Sequence, residues 1–535
     1  MTQTTSSADL STDVLIVGYG PSGATLANLM CQRGHRVIVI DQAAAIYDKP
    51  RAITADQEAL RIFQEIGLAD EITTTTAPHP GTNFVGVDGQ VIKRFYPAPP
   101  PNPLAWEPSF MFIQPELEAT LRQGLSRWPD AMALTQHKYL DLQQDAQGVT
   151  ARVLRMTDNH ELRIRARYVV AADGAASSLR KQLGSPIEDL AFDEWWIVVD
   201  AWIRGPVELP ERCVQYCRPS RPGTYIQGPG NLRRWEIKLL PGETPQDFQT
   251  HEAVWRVLGE FVDTRHLEHC RTAVYRFHAL VVESWREGRL FLMGDAAHQM
   301  PPFLGQGLGA GVRDAYNLAW KLDAVIRGQA RDSLLDTYCE ERKRHVRTVV
   351  GHAKAFGLII GELDVARARV RDQQLEEELQ SGRAVTVRQK FIPGLETGLL
   401  HRNADGSLAA GAGELCIQPW VRSAATENWQ RLDDVAGANY TLITLSASHL
   451  SQWSDQDRAR WQALGGTCVL LSDDKQHDAV PGVHQLTERD GLMRNWLETL
   501  GAQAVIARPD HYVYGVASSI EATRQLIEEL EQTSC

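Results

Sequence analysis

The chain has 535 residues, 43% of them hydrophobic and 23% charged, the balance of a globular protein too long for a single core. Its formal net charge of −12 excludes a broad nucleic-acid footprint, which needs the opposite sign. No apolar run reaches the ~20 residues of a membrane helix, the Thr/Ser-rich start lacks the basic and apolar regions of a secretory signal, and the eight cysteines include no CxxC. A zinc or redox site is therefore not expected, and a cytoplasmic location is.

Asp13-Val-Leu-Ile-Val17 is a short buried strand that ends in glycine. A helix-compatible pattern follows from Ser22 to Gln32 and stops at Gly34, and Arg36-Val-Ile-Val-Ile40 is a second buried strand. Strand, helix, strand in this compass is a βαβ unit with parallel pairing. Pro97 to Pro103 is an extended loop, expected to cross the surface. Tyr168-Val-Val-Ala-Ala172 and Leu290-Phe-Leu-Met293 are further strands, each running into a Gly/Asp pair at a common edge. From about Trp195 to Tyr275 the alternation of segments such as Trp235-Glu-Ile-Lys-Leu239 predicts an antiparallel sheet. Val312, Ala315, Ala319, Leu322 and Ile326 recur at helical spacing, and 358–389 is charged and helical. Gly406 to Gly413 reads as a linker to a small α/β domain containing Tyr440–Thr444, Cys468–Leu471, Ala504–Ala507 and a last helix over Ser519–Gln532.

Gly18-Tyr-Gly20-Pro21-Ser22-Gly23 lies between the first strand and its helix. In that setting the glycines let backbone N–H groups approach a pyrophosphate, and the helix N-terminus stabilises its charge. Asp41 closes the second strand, where an acid accepts hydrogen bonds from a ribose. Asp173-Gly174 and Gly294-Asp295 each place a carboxylate at a strand end, suited to a polyol, and the second runs on through Pro302 into Gly305-Gln306-Gly307, a turn whose N–H groups can face an electron-rich ring edge.

These three segments, in this order, resemble the class A flavoprotein monooxygenases, the group of 4-hydroxybenzoate and phenol hydroxylases. Within it the chain is most similar to 3-(3-hydroxyphenyl)propionate hydroxylases, through Pro50-Arg51-Ala52-Ile53, Phe112-Ile-Gln114-Pro115, Trp196-Ile-Val-Val-Asp200, Pro241-Gly-Glu-Thr244, Arg313–Lys321 and Leu334–Tyr338. The resemblance implies a fold of α/β and α+β class. A Rossmann-like FAD-binding domain would occupy 9–186, with an insertion near 80–110 towards the substrate domain, and 283–400. An antiparallel substrate-binding sheet would occupy 187–282, and a thioredoxin-like domain without CxxC 425–535. It implies FAD as cofactor, NADH or NADPH, O2 and a small aromatic substrate as partners, and hydroxylation of a phenolic acid through a flavin C4a-hydroperoxide. By analogy with relatives a homodimer is expected.

Carried over by position, Gly18, Gly20, Pro21, Ser22 and Gly23 would hold the pyrophosphate, and Asp41 with Gln42 the adenosine ribose. Arg51 and Gln114 would lie near the phosphates or adenosine. Asp173, Gly174 and Arg180 would serve FAD and the nicotinamide, Gly294 and Asp295 the ribityl side, and Pro302, Gly305, Gln306, Gly307, Leu308 and Gly309 the isoalloxazine. Three departures stand out: Asp41 where glutamate is usual, Gly309 where asparagine is frequent, and Phe303-Leu304 where relatives carry a polar or Trp-containing stretch. An acidic substrate wants a cation, for which Arg221 is the candidate. Tyr225, Gln227 and Tyr275 are further substrate candidates, and Tyr225, His278 and His298 candidates for proton transfer. Trp195 and Trp196 are expected in the core. No metal site is expected. Alternatives are a hydroxylase of another phenol or a hydroxylated N-heterocycle, a flavin dehydrogenase, a flavin-binding sensor or assembly module, and a halogenase, whose WxWxIP segment is replaced by Glu194-Trp-Trp-Ile-Val198.

Overall fold

The computed structural model describes residues 9–423, 426, 428–472 and 482–534, so the first eight residues of the Thr/Ser-rich start, and the expected domain boundary at 425, lie outside the described residues. The first sheet is built on strand Leu10–Val17, which pairs in parallel with His160–Ala171 on one side and Val37–Asp41 on the other. Leu290–Leu292 extends it in parallel beyond His160–Ala171, and Ala131–Thr135 beyond Val37–Asp41. Val14, Leu15 and Ile16 are fully buried because both faces of a parallel sheet are covered. Each such side chain contributes about 1.5–3 kcal/mol. Helix Pro21–Gln32 runs back over one face and packs on helix Gly307–Ile326, so closely that a Cβ at Gly311 would meet Ser22 Oγ at 2.2 Å.

The second sheet has eight strands, in the order His298–Gln299, Leu267–Val282, Ile187–Ile203, Leu232–Lys238, Gly223–Gln227, Cys213–Tyr216, Thr82–Val85 and Val91–Phe95. The segment near 80–110 therefore supplies two of its strands. Strand alternation divides its faces. Ile197, Val199, Trp235 and Ile237 pack under helix His251–Leu258, whereas Trp196 turns to the main core. Trp195, expected in the core, is instead 39% exposed beneath Arg276.

The C-terminal unit is a mixed seven-stranded sheet with helices, thioredoxin-like in class. Thr467–Leu471 lies at its centre, and Thr441–Thr444 beside it runs parallel to that strand and antiparallel to Ala504–Ala507. The sheet begins earlier than the expected residue 425, because Trp420–Ser423 pairs with Val483–Glu488. The glycine-rich segment is not a free spacer. Gly411, Ala412 and Gly413 are buried, and Gly413 N–H donates to the Val513 carbonyl. The Pro97–Pro103 loop is likewise not a simple surface crossing, since the Pro103 carbonyl accepts from Gln418 N–H and Trp106 lies under Arg431. Among the described residues the cysteines are free, no group suits a metal ion, and no helix is long and apolar enough to cross a membrane.

Buried charge joins this unit to the rest. Arg508 donates to Glu341 at 2.7 Å and to Asp510 at 2.6 Å, while Lys321 donates to Glu341 at 2.7 Å. Burial works to raise the Glu341 carboxyl, but Arg508 and Lys321 hold it well below the ordinary value. A depressed folded value means this stabilisation is complete above the unfolded carboxyl range and is lost as pH falls through the lower folded value. Glu341→Ala leaves buried Lys321 without its carboxylate and Arg508 with Asp510 alone, and is expected to cost about 3–5 kcal/mol. The check is the denaturant midpoint at neutral pH, which should fall; acidification of the wild type should release the C-terminal unit before the first sheet unfolds, read by intrinsic tryptophan fluorescence.

Candidate functional site

Parallel pairing brings Gly18, Asp41, Asp173 and Gly294-Asp295, each following its strand, to one edge of the first sheet, where helix Pro21–Gln32 also begins. A cleft of about 1140 Å³ opens there and continues to the second sheet. Of the sequence-derived candidates it gathers Gly18, Gly20, Pro21, Ser22, Asp41, Gln42, Arg51, Gln114, Asp173, Gly174, His278, Gly294, Asp295, Pro302, Gly305, Gly307 and Leu308.

The turn is shaped by close approach. Gly18 sits at φ +107°, and a Cβ there would lie 2.2 Å from the Ala172 carbonyl oxygen. A Cβ at Gly23 would lie 2.0 Å from the Gly18 oxygen. Gly23 thus packs helix on strand and does not reach the cleft, whereas Gly20 has open space where its side chain would be. Asp41 fixes the turn by accepting from Tyr19 N–H at 2.8 Å and from Ala43 N–H at 2.8 Å. Gln114 accepts from Ala52 N–H at 2.7 Å, which holds the Arg51 segment against the cleft.

Asp173 accepts from Ser178 N–H at 2.8 Å through one oxygen; its other oxygen is buried without a partner among the described residues. An unpaired acceptor in a cleft calls for a donor from a ligand, because leaving it unmade costs free energy. Asp295 is exposed to the cleft, where the surrounding protein raises its carboxyl against the pull of His298, Arg51 and Arg180. A glycine turn before a helix N-terminus, an orphan carboxylate oxygen and a second carboxylate along one groove fit a dinucleotide carrying a polyol chain, such as FAD.

Other candidates lie outside the cleft lining. Arg180 donates to the carbonyls of Ala175 and Ala296, stapling the two strand-end loops together. Gln306 is buried and accepts from Arg313 at 3.0 Å. Gly309 lies over the same arginine, where a Cβ would meet Arg313 Nη1 at 3.0 Å, so the family's asparagine would press on it. His298 is buried and bonded to Asp314 at 2.7 Å, and Asp314 also accepts from Gly294 N–H, so this histidine braces the loop from beneath.

The substrate candidates need more correction. Arg221 is held by Glu243 through two hydrogen bonds of 2.6 and 2.9 Å and does not line the cleft. Tyr225 is buried against Trp235 on the opposite face of the sheet, and burial pushes its hydroxyl up to about 12. Gln227 and Tyr275 are also absent from the lining; the Tyr275 hydroxyl is taken up by Arg271. The residues that do line this end include Ile226, Arg234, Glu236, Arg276, Phe277, His278 and Met300. Behind Phe277, Phe303 packs on Trp196 at 4.9 Å between ring centroids, so the departure at Phe303-Leu304 creates an aromatic wall. Arg234 is committed to Asp200 at 2.7 Å. Arg234 and Glu236 were legible in the two-residue alternation of Arg234-Trp-Glu-Ile-Lys238, which puts charge on one face of a buried strand.

Comparison with known proteins agrees with this geometry. The family model described as FAD binding domain matches residues 11–353, and that described as HcaD C-terminal domain matches 413–533. A 3-(3-hydroxy-phenyl)propionate/3-hydroxycinnamic acid hydroxylase of Mycobacterium sp. (strain JLS) is 33% identical over 533 residues, covering 96% of this chain and 91% of the relative. Hydroxylase 2 of the same name from Burkholderia vietnamiensis (strain G4 / LMG 22486) is 34% identical, covering 94% and 93%. In fold, the chain is similar to the flavin-dependent monooxygenase PieE in complex with FAD and substrate, with TM-score 0.80 and 22% identity over 98% of this chain and 100% of that one. Aklavinone-11 hydroxylase with FAD and aklavinone is similar at TM-score 0.77 and 22% identity, with 98% and 100% covered. By this full-length relationship the chain belongs to the FAD-dependent aromatic monooxygenases and is a flavoprotein hydroxylase.

Proposed function

We propose that the chain hydroxylates a phenolic aromatic acid of the 3-(3-hydroxyphenyl)propionate class, using NAD(P)H and O2, in aromatic catabolism in the cytoplasm. The observation that carries this reading is relationship at 33–34% identity over nearly the whole of both chains to enzymes bearing that activity in their names. The cleft supports it by running from the phosphate-binding turn to an aromatic sheet face. Gly18, Gly20, Pro21 and Ser22 would receive the pyrophosphate, Asp41 and Gln42 the ribose, and Asp173 and Asp295 the polyol. When bound, FAD supplies hydride acceptance from NAD(P)H and the activation of dioxygen. The chain supplies position and dryness: Phe277, Met300 and Ile226 exclude water beside the Gly305–Leu308 turn. With Arg221 tied to Glu243, the cations lining the cleft that could meet a substrate carboxylate include Arg51 and, by sharing with Asp193, Arg276. The displacement of Arg221 also favours a second reading, a neutral hydroxylated N-heterocycle as substrate.

FAD-loaded protein is expected to consume NADH or NADPH faster with 3-(3-hydroxyphenyl)propionate and to yield a product heavier by one oxygen by mass analysis. Faster consumption with peroxide and no heavier product, or no stimulation at all, would reject this substrate class. For the cofactor roles, Gly20→Ala places a methyl group where the protein offers no contact within 4 Å. The apoprotein should therefore melt as the wild type does, while FAD affinity, followed by flavin fluorescence, should drop about tenfold or more as the backbone approach to the pyrophosphate is blocked. Unchanged affinity would remove this turn from the phosphate site.

A further inference from the structure

Glu236 is 3% exposed, lines the cleft, and has a carboxyl with no hydrogen-bond partner among the described residues. Its strand, Leu232–Lys238, is central in the sheet and paired on both sides, to Val198 and Thr224 at this residue, so its backbone is fixed. The polar neighbours are already engaged. Thr224 donates to Gln215 at 2.5 Å, and Arg234 and Arg271 both serve Asp200. A carboxyl taken out of water without a partner is costly, and proteins keep few such groups. Here the open side is the cleft, beside Phe277 and Met300 and in the same chamber as Gly305 and Gly307.

We propose that Glu236 is the acceptor for the ring hydroxyl of the aromatic substrate, taking a hydrogen bond from it on binding and its proton as the ring is oxygenated. In that step the substrate O–H bond breaks, the proton passes to a Glu236 carboxylate oxygen, and the electron pair stays on the ring oxygen, where it raises the electron density of the carbon under attack. Burial pushes the Glu236 carboxyl up to about 7, with Arg234 and Arg271 pulling down and Asp200 pushing up. That makes it a stronger base than an ordinary carboxylate, yet still weaker than a phenolate near 10. Complete transfer is therefore unfavourable in the resting complex and belongs to the reacting one. The same cleft is also lined by Arg51, Arg276, His278 and Asp295, and by Asp41, Asp48, Glu118, Arg122, His137, Lys138 and Asp173. None of them is hydrogen-bonded to Glu236.

This role rests on the hydroxylase reading, and two measurements on FAD-loaded protein separate them. The first is equilibrium binding, followed by perturbation of the flavin spectrum, of 3-(3-hydroxyphenyl)propionate and of 3-phenylpropionate, which lacks the hydroxyl. In the wild type the preference for the phenol should grow about tenfold as pH rises through 7, because an ionised acceptor gains more from the O–H and loses more beside a bare ring. The second is turnover of Glu236→Gln, near-isosteric and still an acceptor. It should bind the phenol within about threefold of wild type, form product about a hundredfold more slowly, and lose the rise of kcat through pH 7. A flat binding preference in the wild type, or a Glu236→Gln enzyme with wild-type turnover and pH profile, overturns the proposal. If the pH-dependent preference is present but no phenol is hydroxylated, Glu236 stands as the hydroxyl acceptor and the substrate reading falls.

Discussion

Arg313 is the point on which the parts of this molecule depend. Its guanidinium is buried and held by Asp56 and Glu58, and it donates to Gln306 at the start of the helix that follows the glycine turn. Burial alone would lower its charge, and the two carboxylates more than restore it. Glu58 also accepts from Tyr512 of the C-terminal unit at 2.9 Å. One cation thus ties together the strand at Thr54–Asp56, the Gly305–Leu308 turn and a domain more than a hundred residues distant in sequence. Such a network is costly to open by one partner and nearly neutral as a whole, which suits it to fixing geometry more than to adding stability.

The cleft inherits its character from two different sheets. The parallel sheet contributes an edge where strands end and backbone N–H groups and carboxylates collect, the setting that suits phosphates and polyols. The antiparallel sheet contributes a face, where every second residue looks into the chamber. The first wall is therefore polar and built from turns. The second mixes aromatic side chains with buried charge, and Glu236 there has no hydrogen-bond partner among the described residues. The C-terminal unit carries no CxxC pair and meets the rest of the chain through Arg508 with Glu341, Arg61 with Asp433 and Tyr512 with Glu58.

The sequence placed most of the residues that line the glycine-turn end of the cleft. Gly18 and Gly23 follow from a local rule, since a turn after a strand needs glycine where φ is positive or another backbone approaches within contact. The substrate side was not legible in the same way. Arg221 was a reasonable anchor by type and position, but Glu243, 22 residues on, claims it. Tyr225 and Gln227 lie on a strand whose inward residue between them is Ile226. A register shift of one residue reverses which side chains face a ligand, and sequence patterns fix that register only where one face is purely apolar.

The sequence by itself determined the βαβ unit, the glycine turn between its first strand and helix, the strand-end aspartates and the absence of a CxxC pair, because each follows from residues adjacent in the chain. Only the tertiary structure decided that the glycine-rich segment is docked through 411–413, that the C-terminal sheet begins at Trp420, that His298 braces a loop from below, and that Glu236 faces the cleft with no hydrogen-bond partner among the described residues. Those outcomes turn on which partner a charged or polar group finds across space, a choice among residues tens to hundreds of positions apart.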